Sequence, residues 1–434
     1  MKMPPLLACA AALSALAPAS AAAAPAAAAT DHARVVRAIA ARPQVKAAIA
    51  EIDRTHDQWV ADIVALAEIP SPPFKESARA SAYADRFRAA GLADVVIDAE
   101  GNVTGLRKGA GGGSGKLVVV SAHMDTVFPE GTPIKVRREG DRLFAPGVGD
   151  DSAGLATQLS LIGAMEKAGI RTPDDILFVG TVGEEGLGDL RGVRYLFTKS
   201  RYAGRIGAFF SIDGTSSAEF TIGGVGSKRY RVSFTGPGGH SFGAFGLVNP
   251  LSALAQSVVN LYKIPVPASP KTTYSASVVG GGTSVNAIPR DVWLEVDMRS
   301  ESAEALAQVE RGFLAGVRDA VDVENAARST KEGPVKADLK LVGDRPAGAT
   351  AKDSDIVRFA AAAYMAAGIA PEYGAGSTDS NVAMSLGIPA ITIARAAEGG
   401  RGHSLDEWIG VARVPAVRVR TLDLITILAV AGYR

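Results

Sequence analysis

One cysteine in 434 residues, Cys9, leaves no pair for an internal disulfide and no thiolate set for a cysteine-held zinc. Neither sign of charge is in excess: 46 Lys and Arg face 45 Asp and Glu, a formal net charge of +1. That balance gives no broad basic field and argues against a nucleic-acid partner. Beyond the N-terminus no apolar stretch is long enough to span a bilayer, so no membrane span is expected. With one thiol and five histidines, any metal would be held by His, Asp and Glu. What is present is a globular mixture, 47% hydrophobic and 21% charged, at a length that suits two or three domains.

The first thirty residues read apart from the rest. Lys2, a short apolar run at 6–17 and Ala19-Ser20-Ala21 have the order of a secretory leader. Cleavage between Ala21 and Ala29 would remove Cys9 and leave an exported protein, periplasmic or secreted, without a thiol. Leu6-Leu7-Ala8-Cys9 has the look of a lipoprotein box but lies too early to be preceded by an apolar run. Residues 1–29 are therefore assigned to a leader.

Residues 33–69 carry apolar positions at helical spacing and stop at Pro70-Ser71-Pro72-Pro73. A second helix is expected at 78–90 and a hairpin at 94–97 and 103–106. The glycine-rich loop at 109–115 precedes Lys116, but Ala110 and Leu117 occupy positions that a phosphate-binding loop reserves for Gly and Ser or Thr. Four short apolar runs, 117–120, 176–182, 208–212 and 390–393, read as buried strands, with helices at 152–167 and 356–367 among them. This predicts an α/β sheet covered on both faces, with ligands bound beyond the carboxyl ends of the strands. Residues 228–345 have another grammar: strand 229–234, helix 249–262, strands 273–279 and 292–298, helix 302–321, strand 335–342. That βαββαβ order predicts a ferredoxin-like unit inserted between two parts of the α/β domain, 31–227 and 346–434.

Each buried strand leads to a candidate ligand. His123 and Asp125 follow the first, Glu184 and Glu185 the second, Asp213 the third, and His403 lies on the loop after the fourth. In a strand, residues two apart share a face, so Asp125 can orient the His123 ring. Asp150-Asp151-Ser152 precedes a helix; one capping group suffices there, which leaves Asp150 unexplained by capping. Each residue alone has a bland structural reading. Jointly, two imidazoles and at least three carboxylates at one sheet edge suit Zn²⁺, Mn²⁺ or Co²⁺, and their number suits two ions sharing a carboxylate.

The ordered set Ser-Ala-His123-Met-Asp125-Thr-Val, Gly-Val-Gly-Asp150-Asp151-Ser-Ala-Gly, Gly-Glu184-Glu185-Gly, Ile-Asp213-Gly and Gly-His403-Ser resembles the M20 family of dinuclear zinc exopeptidases, nearest in pattern to peptidase T-type tripeptidases. The resemblance implies a zinc-exopeptidase-type α/β/α domain with the insert as lid and dimerisation domain. It implies two divalent ions, zinc first, with cobalt or manganese as alternatives. One would be held by His123, Asp150 and Asp213, the other by Asp150, Glu185 and His403. Glu184 would be the general base and Asp125 the partner of His123. It also implies a cis peptide bond between Asp150 and Asp151. Ser152 stands where the family usually has a Lys-like group, a position without a ligand. In the insert, His240 in Gly-His-Ser, Asn286 in Val-Asn-Ala-Ile-Pro and Arg299 in Asp-Met-Arg resemble substrate-contacting groups. Arg299 would suit a substrate carboxylate, and a salt bridge at a strand end explains it nearly as well. His240 is expected to serve the partner subunit's site in a homodimer. The expected substrate is a di- or tripeptide. Asp at position 213 links the chain to aminopeptidase-type members; carboxypeptidase or N-acyl amino acid hydrolysis are the alternatives.

A rival reading is a serine esterase. Gly239-His240-Ser241-Phe242-Gly243 matches the nucleophile-elbow pattern, and Asp379 and His403 follow in Ser, Asp, His order. An elbow runs from strand directly into helix, whereas Gly236-Pro237-Gly238 precedes Ser241 and helix resumes only near Asn249. A metal-free binding protein on the same scaffold would require lost ligands, and none is lost.

Overall fold

A computed structural model describes residues 30–434. The leader expectation, with Cys9, lies outside the described residues. The four apolar runs form four adjacent parallel strands, in the order Ile176–Thr181, Leu117–His123, Ile206–Gly214, Ala390–Ala394. They end at one edge, as parallel order requires. The hairpin Ala93–Ile97 and Val103–Arg107 extends the sheet antiparallel at one side. Glu219–Gly224 extends it at the other, with Gly348–Ala349 and Glu372–Gly376 beside it.

Alternation along each strand fills two separate cores. Val118, Val120, Phe178, Phe210 and Ile391 join helix residues such as Leu155, Ile162, Phe359 and Leu424 on one face. Val119, Leu177, Val179 and Phe209 meet Val193, Leu196, Val382 and Ala383 on the other. This is the expected α/β/α layering, and it explains why these strands are apolar throughout. A single large side chain such as Phe178, fully buried, contributes roughly 1.5–3 kcal/mol by leaving water.

The helical run at 33–69 is three helices, His32–Ala41, Pro43–Arg54 and His56–Ala67. Pro43 lacks the N–H that would continue the first helix and starts the second at its first turn. Helix Ser152–Lys167 begins where expected, with Asp151 as N-cap accepting from the Gly154 N–H at 3.1 Å.

In the insert, strands Gly226–Thr235, Thr272–Gly281, Asp291–Ser300 and Lys336–Arg345 form one antiparallel sheet. The first and third are central. Helices Pro250–Leu261 and Ala303–Ala327 pack on one face through Leu254, Leu261, Leu306, Val309 and Phe313, against Val232, Phe234, Leu294 and Val296. That is the ferredoxin-like strand order. The opposite face is polar, with Arg231 paired to Glu295 at 2.8 Å and stacked over Trp293 at 3.6 Å. Not foreseen was a small sheet of Arg137–Glu139, Arg142–Phe144, Gly399–Gly400 and Trp408–Gly410. Gly399–Gly400 and Trp408–Gly410, paired with each other, flank the loop that carries His403. No described helix is long and apolar enough to cross a membrane.

Candidate metal centre

Asp150 organises the site. Its Oδ1 lies 2.9 Å from His123 Nε2, and its Oδ2 lies 3.2 Å from His403 Nε2. His403 Nε2 is also 3.0 Å from Glu185 Oε1, and Asp213 Oδ1 is 3.9 Å from His123 Nε2. One carboxylate thus faces both imidazoles, with Asp213 nearest His123 and Glu185 nearest His403, though Glu185 also comes within 4.8 Å of His123 and Asp150. The peptide bond between Asp150 and Asp151 is cis, as the resemblance implied. Asp151 also comes within 4.8 Å of His123 and Asp213. Its two oxygens, however, accept from the backbone N–H groups of His123 and Gly154. It is therefore spent on holding a strand end to a helix start, and Asp150 is left to face the cleft.

The turn after Ile176–Thr181 separates the two glutamates. Asp125 accepts the Glu184 N–H on Oδ1 at 3.0 Å and the Glu185 N–H on Oδ2 at 2.8 Å. With the backbone so pinned, Glu185 turns toward His403 and Glu184 toward Arg345, whose Nη1 is 3.1 Å from Glu184 Oε1. Asp125 approaches the His123 ring mainly through its main-chain carbonyl, 3.0 Å from Nδ1; its carboxylate is 3.7 Å away. Imidazole ring nitrogens and carboxylate oxygens without thiolate form a donor set that fits borderline and hard divalent ions.

Burial and crowding set the protonation of these groups. Burial, with Asp150 nearby, pushes Asp213 up to about 6. Burial pushes Glu184 well above the usual carboxylate range, with Arg345 opposing and Glu185 adding. Asp150 goes the other way: against the cost of burial, Arg395 and the two imidazoles hold it well below that range. Hydrogen bonds to Asp150 and Glu185 raise His403 to about 10. His403 has φ of 64°, left-handed backbone that a non-glycine residue adopts only under local constraint.

Several participants were not foreseen. Arg395 places Nη1 2.6 Å from Asp213 Oδ1 and 3.1 Å from Asp150 Oδ1. It stands one residue beyond Ala390–Ala394, so the rule that finds ligands beyond strand ends could have found it. Glu407 accepts N–H groups from Gly149, Asp150 and Gly147 and shapes that loop; nothing in its sequence setting marks it. Arg345 closes the last strand of the insert and binds Glu184 Oε1, Glu184 O and Ser377 Oγ. Asp379, buried, accepts from Thr181 Oγ1 at 2.5 Å, and burial raises it to about 7.

Arg299 sits opposite Ser227, which sits opposite Arg345, in one cross-strand row of which Arg345 reaches Glu184. Its Nε is engaged by Asp297 Oδ2 at 2.6 Å. His240 and Asn286 come together elsewhere on the insert. Gly239–His240 pairs with Ala287–Ile288, and Ser241 N–H donates to Asn286 O. The exposed His240 ring accepts the Phe242 N–H through Nδ1, and among the described residues no hydrogen bond or ion pair joins it to the candidate ligands. The esterase arrangement is not assembled. His403 is held by Asp150 and Glu185 and Asp379 by Thr181, and the short strand before Ser241 runs into turns, with the next helix only at Pro250.

The model of peptidase family M20/M25/M40 matches residues 119–423. Among curated proteins, carboxypeptidase G2 from Pseudomonas sp. (strain RS-16) is 27% identical over 341 residues, 76% of each chain. Among solved structures, a tripeptidase from Staphylococcus aureus matches with TM-score 0.71 at 20% identity, covering 86% of this chain and 98% of that one. A dinuclear metal binding peptidase from M20 family of Bacillus subtilis matches with TM-score 0.63 at 16% identity, covering 88% and 99%.

Proposed function

This chain belongs to peptidase family M20/M25/M40, and from that premise we propose a two-ion exopeptidase that acts at the amino end of di- and tripeptides. The coarse statement follows from membership: it is a metallopeptidase, a hydrolase acting on peptide bonds. The observation that carries the finer reading is Asp150, whose two oxygens face His123 on one side and His403 on the other. In this reading His123, Asp150 and Asp213 hold one ion and Asp150, Glu185 and His403 the other. Zinc is the first choice.

Bound there, two divalent ions would polarise the scissile carbonyl and acidify the attacking water. The Glu184 carboxylate takes the water's proton as its oxygen attacks the carbonyl carbon. It returns that proton to the amine nitrogen as the C–N bond breaks. Burial supports this role, since it raises the proton affinity of Glu184 while Arg345 keeps the carboxylate in place. Asp125 fixes the backbone from which Glu184 projects.

The amino-end preference rests on Asp213. A carboxypeptidase reading is favoured by one observation, the 27% identity to carboxypeptidase G2, and Arg299 would then receive the substrate carboxylate. A panel of dipeptides, tripeptides with either end blocked and N-acyl amino acids separates the two. Tripeptides blocked at the carboxyl end are cleaved by an aminopeptidase; cleavage only of those blocked at the amino end assigns the carboxypeptidase. Chelation should abolish turnover and Zn²⁺, Co²⁺ or Mn²⁺ restore it, while a serine-directed reagent has no effect.

We further propose a homodimer through the insert, with His240 serving the partner subunit's centre. In support, Phe242, Phe245 and Val285 around His240 are 88%, 84% and 102% exposed, an apolar border that a second copy would cover. An exported location is proposed on the leader pattern of residues 1–29, and N-terminal sequencing of the mature protein tests it.

A further inference from the structure

The two sides of the centre are unequally charged. On the His123 side the inward atoms are His123 Nε2, Asp150 Oδ1 and Asp213 Oδ1. The Arg395 guanidinium is bonded to both of those oxygens and to Asp213 O at 3.1 Å. Its side chain is 10% exposed, and those of Asp150 and Asp213 are 13% and 10% exposed. On the His403 side, His403 Nε2 meets Asp150 Oδ2 and Glu185 Oε1. No lysine or arginine ion-pairs with Glu185 among the described residues. Arginine keeps its charge at every working pH. A guanidinium on these oxygens competes with an ion for the same lone pairs, and it repels that ion at short range where screening is weak.

Arg395 lines a cavity of about 270 Å³ together with Gly149, Gly214, Glu398, Arg401, Glu407 and Trp408. Gly149 contributes no side chain there; a Cβ would stand 3.7 Å from Arg395 Nε and 3.0 Å from Glu407 Oε1. The guanidinium therefore has space to withdraw into, with two carboxylates on the cavity wall.

We propose that Arg395 is a built-in counter-cation for the Asp150–Asp213 pair, which withdraws toward Glu398 and Glu407 when an ion enters the His123 side. The two positions then fill in order, the His403 side first. Loading the second position requires breaking two buried ion pairs, and that cost appears as weaker affinity. The inference rests on the two-ion reading above.

The test is calorimetric titration of chelator-stripped full-length protein with Zn²⁺, with bound metal counted by mass spectrometry. Two phases are expected, separated at least about tenfold in Kd. Asp213→Asn, which touches only the His123 side, removes the weaker phase and keeps the stronger. Arg395→Met tightens the weaker phase about tenfold or more. Arg395→Gln does the same while keeping donors, and decides the matter if Arg395→Met fails to fold. Two ions of equal affinity in the native chain overturn the inference. So does a second ion unchanged or weakened in the Arg395 variants, or loss of the stronger phase in Asp213→Asn. One ion at saturation in the native chain and in both Arg395 variants overturns the two-ion reading itself.

Discussion

At the scale of single residues, adjacent carboxylates are made different by what they touch. Glu185 meets an imidazole, whereas Glu184 meets a buried guanidinium. Glu184→Gln is expected to keep the full complement of metal and to lose turnover by ~10²–10⁴. Metal analysis beside kcat checks it; metal lost from Glu184→Gln but kept in Glu185→Gln would reverse the two roles. Arg345 opposes the upward push of burial on Glu184. A general base works deprotonated, so Arg345→Met should move the acid limb of kcat/KM to higher pH and lower kcat at neutral pH. An unshifted limb would remove Arg345 from the account. Most of the proposed ligands were legible in sequence because they follow strands buried on both faces, which are conspicuous apolar runs; Asp150 instead precedes helix Ser152–Lys167 and stood out because capping left it unexplained. Arg345 was not legible: it ends a strand of the insert, and only the folded chain brings that end to Glu184, 161 positions away.

At the scale of elements, helix Arg413–Val430 carries a cost. Asp423 is 1% exposed, and neither of its oxygens has a hydrogen-bond partner among the described residues. Burial pushes its pKa well above the carboxylate range, with Arg420 opposing. A raised carboxyl pKa means that the folded chain holds a proton which the unfolded chain gives up. Stability from this group is full below the ordinary carboxylate pKa and falls as pH rises through the higher folded value. Asp423→Leu should therefore raise the melting temperature, by roughly 1–3 kcal/mol in stability, and more at pH 8 than at pH 5. Thermal or urea melts at the two pH values check this; an equal gain at both would contradict the protonation argument. This helix was not foreseen, and neither were strands Glu219–Gly224 and Glu372–Gly376. Glu372–Gly376 is rich in glycine and mostly exposed, and Glu219–Gly224 alternates over only Phe220 and Ile222 before its two glycines, too short a run to stand out. The opening helices merge in sequence because their apolar spacing persists across Pro43 and Thr55, whose turns re-aim the axis without interrupting the pattern.

At the scale of the whole molecule, the question is whether one chain completes the centre. His240 stands exposed on a two-stranded ribbon of the insert, and among the described residues its ring accepts only from N–H groups of its own turn, those of Phe242 and Gly243. Gly238 and Gly239 precede it with φ of 70° and 149°, a backbone that lets the ribbon project from the end of strand Gly226–Thr235. Strand Thr272–Gly281 is an edge of the insert sheet and carries exposed Val278 and Val279. An unpaired apolar edge invites pairing with a second copy, and two-fold symmetry would bury both edges at once. In the proposed dimer His240 reaches the partner's centre and donates to the oxyanion formed when water adds to the carbonyl. Loss of one such donor costs ~10²–10³ in kcat, so His240→Ala alone should be nearly inactive with its metal intact. Glu184→Gln alone should be inactive for a separate reason. Mixed under conditions of subunit exchange, the two variants form dimers in which one centre has Glu184 from one chain and His240 from the other. Activity should return to about a quarter of the native value, since half of the dimers are mixed and each has one complete centre. Failure to recover despite mass-spectrometric proof of exchange, or a monomer by sedimentation at assay concentration, would show that each chain works alone.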